Sequence, residues 1–156
     1  WRDKVSYLYH ADPDTPPGQG VGRVGLFPAT RSSIGLILLA DLDPRQVHDL
    51  YHTDDEIPGY PGGLPALQAD LARFRHQRFA TAPTKPGLTL AVPVGSPPQA
   101  ALALAGAIAP DDVPTLAPIL AGAAADIAAA IDAHDPTPHP DDPGHGPWLD
   151  PTTNNP

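Results

Sequence analysis

The chain has no cysteine and no methionine, and it carries only nine lysines and arginines against 18 aspartates and glutamates. Each shortage excludes something. Without cysteine there is no disulfide, no thiolate nucleophile and no cysteine-held metal, and nothing in the sequence records the redox state of its compartment. Without methionine, a chain that begins WRDKV reads as a piece of a longer protein or a processed product, and further sequence is expected before Trp1. A formal charge of −9 repels phosphate backbones and anionic lipid headgroups, so this stretch is not expected to bind nucleic acid by itself. The longest unbroken apolar runs, ALALAGAIA and IGLILLA, fall short of the about 18 to 20 residues a membrane span needs. No signal-peptide pattern is visible. The expectation is a cytoplasmic domain without a membrane partner. At 156 residues, one domain with one packed core is expected.

Proline and glycine, 23 and 14 of them, divide the chain into segments. DKVSYLYHA (residues 3–11) sets Val5, Tyr7 and Tyr9 against Ser6, Leu8 and His10, the period of two that suits a strand. DPDTPPGQG reads as a loop. GVGRVGLF (20–27) reads as a second strand loosened by glycine. From about residue 32 to 42, Ile34, Ile37, Leu38 and Leu42 share a helical face that Leu36 and Leu39 broaden, so this helix should be buried on most sides. Asp43 and Pro44 restart a helix as cap and first residue, with Val47, Leu50 and Tyr51 on its apolar side. TDDEIPGYPGG (53–63) reads as a long connection. Leu64, Leu67, Leu71 and Phe74 then recur at helical spacing, with Arg73, Arg75 and Arg78 collected where the helix dipole favours cations.

FATA, LTLAVPV (88–94) and AALALAGAIA (100–109) read as strands, the last two forming a hairpin whose near-continuous apolarity predicts cover on both faces. Pro93 places that strand at an edge, an end or a bulge. A last helix over about 115–133 is predicted to bury Leu116, Leu120, Ala123, Ile127 and Ile131, with Pro118 tolerated in its first turn. The remainder, 135–156, is rich in proline and aspartate and reads as a disordered tail, leaving a domain over 1–134. The order β-β-α-α-α-β-β-β-α argues for an α+β fold, an antiparallel sheet of about five to six strands covered by helices.

The polar cluster Thr30, Arg31, Ser32 and Ser33 stands where the first helix begins, with Gly35 one turn in. Thr30 or Ser32 is the natural N-cap, which contributes about 1 kcal/mol. The same groups, beside unpaired backbone N–H groups with partial positive charge, suit a carboxylate, a phosphate or a carbonyl, and Gly35 would let a ligand or a neighbouring segment approach closely. Arg31 would pair with an anionic ligand, or stay solvated.

Three stretches, in order and at matching spacing, resemble the effector-binding domain of the isocitrate lyase regulator (IclR) family of bacterial transcription regulators. PATRSSIGLILLA (28–40) is similar to a family segment in which Pro28, Gly35, Leu38, Leu39 and Ala40 have counterparts. LPALQADLARFRHQRFA (64–80) resembles the family's leucine-spaced helix with its basic end, and LTLAVPVGSPPQAALALAGA (88–107) its hairpin. The resemblance covers residues 3–134. It implies a GAF-like or profilin-like fold that binds a small organic effector, assembles as homodimers or tetramers, and controls DNA binding through a winged helix-turn-helix expected before residue 1.

It also implies that Thr89, the one hydroxyl in its strand, faces the effector pocket together with Ala103 and Ala105. Family members often carry serines along that last strand and an acidic pair before the hairpin; here stand Ala103, Ala105, Thr84 and Lys85, and Leu36 replaces a usual lysine. The effector is therefore expected to be less polar than in carboxylate-sensing relatives. The alternative is a stand-alone GAF-like binding or oligomerisation module with no DNA reader.

A hydrolase would need a histidine and a carboxylate converging on Ser32 or Ser33. His10, His48, His52 and His76 are available, but there is no G-x-S-x-G elbow, and no catalytic residue is assigned. His134, His139 and His145, spaced through prolines, make no closed metal site, and neither a metal nor a cofactor is expected.

Overall fold

The computed structural model describes residues 3–16, 18–20, 22–54 and 56–134. The expected tail, 135–156, lies outside them. The element order follows the expectation: β1 (Lys4–Tyr7), β2 (Arg23–Pro28), a 3-10 turn (Ala29–Arg31), α1 (Ser33–Asp41), α2 (Pro44–Tyr51), α3 (Gly63–Gln77), β3 (Ala80–Thr84), β4 (Gly87–Val94), β5 (Ala100–Ile108), a second 3-10 turn (Pro110–Asp112) and α4 (Val113–His134). The fold is α+β, and the described strands divide between two antiparallel sheets, β1-β2 and β3-β4-β5. The β1-β2 ladder slips register between Val5 and Tyr7.

Local chemistry explains where the helices start. Ser32 is the N-cap of α1, its Oγ accepting from the Gly35 N–H at 3.0 Å. Asp43 caps α2 in a reciprocal arrangement with Gln46, and Pro44 takes the first helical position. At the far end of α1 the chain's own carbonyls fall to Arg75, which donates from Nε to Ala40 O and from a terminal nitrogen to Leu42 O, both at 2.7 Å. Arg75 thus serves the C-terminus of α1, across 33 to 35 residues, and not only the dipole of its own α3.

The three-stranded sheet has two unlike faces. Leu90, Val92 and Val94 of β4 pack with Val113, Ala117, Leu120 and Ala124 of α4. On the other side Ala80, Ala82 and Ala91 join Leu36, Ile37, Leu39 and Ala40 of α1 and Leu67, Leu71 and Phe74 of α3. Burying one such leucine or phenylalanine contributes about 1.5–3 kcal/mol. Small alanines on the sheet let α1, buried on most sides as expected, lie against all three strands.

α4 departs from the expectation in three ways. It starts earlier, at Val113, which puts Pro118 inside the helix and beyond its first turn. Its buried stripe is Val113, Ala117, Leu120 and Ala124, whereas Ala123, Ile127 and Ile131 are exposed. Finally, Pro110–His134 is 25 residues long and holds an 18-residue stretch with a mean hydropathy of 1.6, long and apolar enough to cross a membrane by length and composition. The unbroken runs understated this, because glycine and single aspartates interrupt an otherwise apolar segment. In the fold, one side of this helix is occupied by β4 and β5.

The connection expected over 53–63 is more ordered than a bare linker. Ile57 and Tyr60 are buried and bridge each other around a turn with Pro58 second and Gly59 third, closed by the Tyr60 N–H donating to Ile57 O at 2.9 Å. Gly59 has φ of 86°, the backbone that glycine adopts without strain.

Candidate functional site

The polar cluster before α1 is built tightly into the protein. Thr30 is 3% exposed, and its hydroxyl donates to the Pro58 carbonyl at 2.6 Å. The Ser32 Oγ accepts from the Gly35 N–H, and its O–H can still donate. A β-carbon at Gly35 would run into the Ala29 backbone, so the close approach this glycine permits is to the chain itself. Gly59 closes against the same corner, where a β-carbon would lie 3.2 Å from Thr30 O.

Two members remain uncommitted. Ser33 is 2% exposed, and its hydroxyl has no hydrogen-bond partner among the described residues. Arg31 is exposed and makes no ion pair with any described residue. Neither serine is hydrogen-bonded to a histidine; His48 and His52 stand exposed on and just after α2.

The hairpin residues come together. Thr89 is paired directly with Ala82 on one side and Ala105 on the other, and the next row of the same face is Ala80, Ala91 and Ala103. The Thr89 hydroxyl donates to Ala82 O at 3.3 Å. Ala103 is half-buried against the α1 core, while Ala105, two residues along the same face, is exposed. Between Leu88 and Thr89 the register with β5 shifts, so the regular ladder ends at the Thr89–Ala105 pair. Under α1 this face is filled, with Ala80 and Ala91 fully buried; it opens only at its Thr89–Ala105 end. Among the described residues, a shallow recess also lies on the opposite side, between the β4-β5 turn and α4, lined by Val94, Gly95, Gln99, Ala128, Ile131 and Asp132.

Sequence reasoning did not reach several polar groups around this core. Tyr51, 3% exposed on α2, has a buried hydroxyl with no partner among the described residues; burial first, and then the charges of Asp3 and Asp54, push its pKa up to about 12. Tyr60 donates to the Asp70 carboxylate at 3.1 Å, and burial, reinforced by Asp70, raises its pKa as well. Asp3 is held below the usual carboxylate range by its hydrogen bond with Lys4. The sequence showed residues 53–63 only as a connection, and nothing local signalled the turn at Pro58 and Gly59 or what it would meet.

No protein-family model matches the sequence, and no curated relative does. Solved structures do. The repressor BlcR of Agobacterium tumefaciens is 18% identical with a TM-score of 0.64, over 83% of this chain and 55% of its own. An IclR homolog from Microbacterium hydrocarbonoxydans, complexed with 4-hydroxybenzoate, is 23% identical with a TM-score of 0.66, over 84% of this chain and 57% of its own. The chain has the fold of IclR-type regulators. A double mutant of the PobR inducer-binding domain from Acinetobacter, in complex with 3-hydroxybenzoic acid, shares this IclR-type fold at 20% identity and a TM-score of 0.50, over 76% of this chain and 74% of its own. The chain spans 55 to 60% of the length of the IclR-type regulators it matches first.

Proposed function

We propose that this chain is the effector-binding portion of a transcription regulator, taking a small, weakly polar organic molecule. The observation that carries the reading is the sheet face toward α1, which bears nothing larger than alanine or threonine over two rows and emerges from its cover at Thr89 and Ala105. A flat ligand needs such a floor, because a larger side chain would occupy its place. That two proteins of this fold hold hydroxybenzoates supports the class of ligand.

In this proposal Thr89, Ala103 and Ala105 form the floor, and the Arg31 guanidinium and Ser33 hydroxyl receive the polar end of the effector. Thr30 and Gly35 then build the site without touching its ligand, since their polar or close contacts are taken within the protein, while Ser32, whose Oγ accepts from the Gly35 N–H, keeps its O–H to donate to the effector. The effector would favour one arrangement of the domain over another and so bias an attached DNA-binding module; equal affinity for both would shift nothing. The outer stripe of α4, Ile119, Ala123, Ile127 and Ile131, is the surface we assign to assembly as a dimer or tetramer.

Thermal-shift screening of aromatic acids and related metabolites tests the sensor assignment, since a ligand that binds only the folded state raises its melting temperature. A raised melting temperature with hydroxybenzoates or their esters is expected, and silence across the set contradicts it. For the regulator assignment, the reading frame upstream of Trp1 should encode a further helix-turn-helix domain of about 60 to 100 residues.

A further inference from the structure

We propose that the C-terminal end of α2 binds one divalent late transition ion, Zn2+ or Cu2+, through the imidazoles of His48 and His52 with the Asp49 carboxylate beside them. The three ligand atoms already lie within 4.8 Å of one another. Residues four apart share one face of a helix, and the two rings stand parallel, 10° apart in plane with centroids 5.0 Å apart. A tetrahedral ion holding two nitrogens at about 2.0–2.1 Å each sets them about 3.3 Å apart, so the two exposed rings must turn out of their parallel stack until both in-plane lone pairs meet at the ion.

The second nitrogen of His52 is already placed. Its Nδ1 lies 3.2 Å from His48 O and 3.3 Å from Asp49 O. A carbonyl only accepts, so Nδ1 carries the hydrogen and the lone pair is left on Nε2, the arrangement that fixes a metal-binding imidazole. On the other ring, His48 Nδ1 is 3.5 Å from Asp49 Oδ1, so the carboxylate stands at the same spot.

The surroundings favour a cation. The site lies at the negative end of the α2 dipole, on a chain of formal charge −9. All three side chains are exposed, so an ion enters without displacing the core, and water completes its coordination. Such a site is an exchangeable staple, not a catalytic centre. It fastens the last turn of α2 to the residue that opens the connection carrying Pro58, the acceptor of the Thr30 hydroxyl. Ion binding is therefore expected to raise the melting temperature.

The test is titration of the full chain, stripped with a chelator, with Zn2+ alone by calorimetry, and with Cu2+ alone followed by electron paramagnetic resonance. One ion per chain is expected, with two imidazole nitrogens coupled to Cu2+. His48→Ala and His52→Ala each reduce affinity at least tenfold, while replacing His139 and His145 by alanine leaves it unchanged. Binding that survives the His48→Ala/His52→Ala double variant, or that vanishes with the tail histidines, overturns the proposal. So does the lack of any saturable binding. His48 and His52 are exposed, so a far-UV circular dichroism spectrum identical to the parent's is expected for each of their variants.

Discussion

The Thr30 hydroxyl donates to the Pro58 carbonyl oxygen across 2.6 Å, joining the start of α1 to a turn 28 residues later. Thr30→Val keeps the shape and removes the donor, leaving the part-buried Pro58 carbonyl without this partner. The expected loss is about 1–2 kcal/mol, read as a lower denaturant midpoint with an unchanged slope. A variant as stable as the parent would mean that the turn is held by Ile57 and Tyr60 alone.

Gly35 gives a test of sign. Helix propensity alone favours Gly35→Ala by about 1 kcal/mol. The β-carbon, however, would occupy the space of the Ala29 backbone, which cannot swing aside as a side chain does. Gly35→Ala is therefore expected to destabilise by more than Thr30→Val in the same denaturation experiment, and any gain in stability refutes the packing described for this corner.

Arg75 holds two carbonyls of the α1 end with two nitrogens in a fixed fork. Lysine offers a single ammonium and cannot reproduce that geometry. Arg75→Lys is expected to cost about 1–3 kcal/mol, and amide hydrogen exchange should show the last turn of α1 opening more readily.

Tyr51 and Tyr60 should answer oppositely to the loss of a hydroxyl. Tyr51→Phe removes a buried donor without a partner among the described residues and is expected to leave stability at neutral pH unchanged or raised. Tyr60→Phe removes the bond to Asp70 and lowers it by about 0.5–1.5 kcal/mol. With the Tyr51 pKa raised from 10.0 to about 12, the folded state keeps its proton where the unfolded state loses it. Stability is thus full below about pH 10 and falls as pH rises toward about 12. Tyr51→Phe should flatten part of that fall in alkaline denaturation.

The sequence made the local structure legible and the long-range contacts illegible. Ser32 and Asp43 were readable as caps because capping needs only residues a few positions apart, and Leu67, Leu71 and Phe74 marked the inner face of α3 by spacing alone. The partner of Thr30 and the carbonyls taken by Arg75 lie 28 to 35 residues away, beyond any local pattern. The phase of α4 was lost for a different reason. In a helix so rich in alanine every face is apolar, so periodicity sets its existence but not which stripe meets β4. At the candidate site, the direct pairing of Thr89 with Ala105 follows from the register of the hairpin, which its pattern suggested. The Thr30 hydroxyl, which the sequence offered to a ligand, turns out to be engaged within the protein, while the Ser32 Oγ accepts from its own helix and its O–H can still donate.

Calorimetric titration of 4-hydroxybenzoate and its less polar esters against the parent chain and Ala105→Trp tests the central claim most directly. Ala105 is exposed, so the large ring should leave the melting temperature nearly unchanged while covering the open end of the floor beside Thr89. Saturable binding to the parent, weakened at least tenfold in Ala105→Trp, is the expected result. Equal affinity in both chains would contradict a ligand seated on the Thr89–Ala105 face.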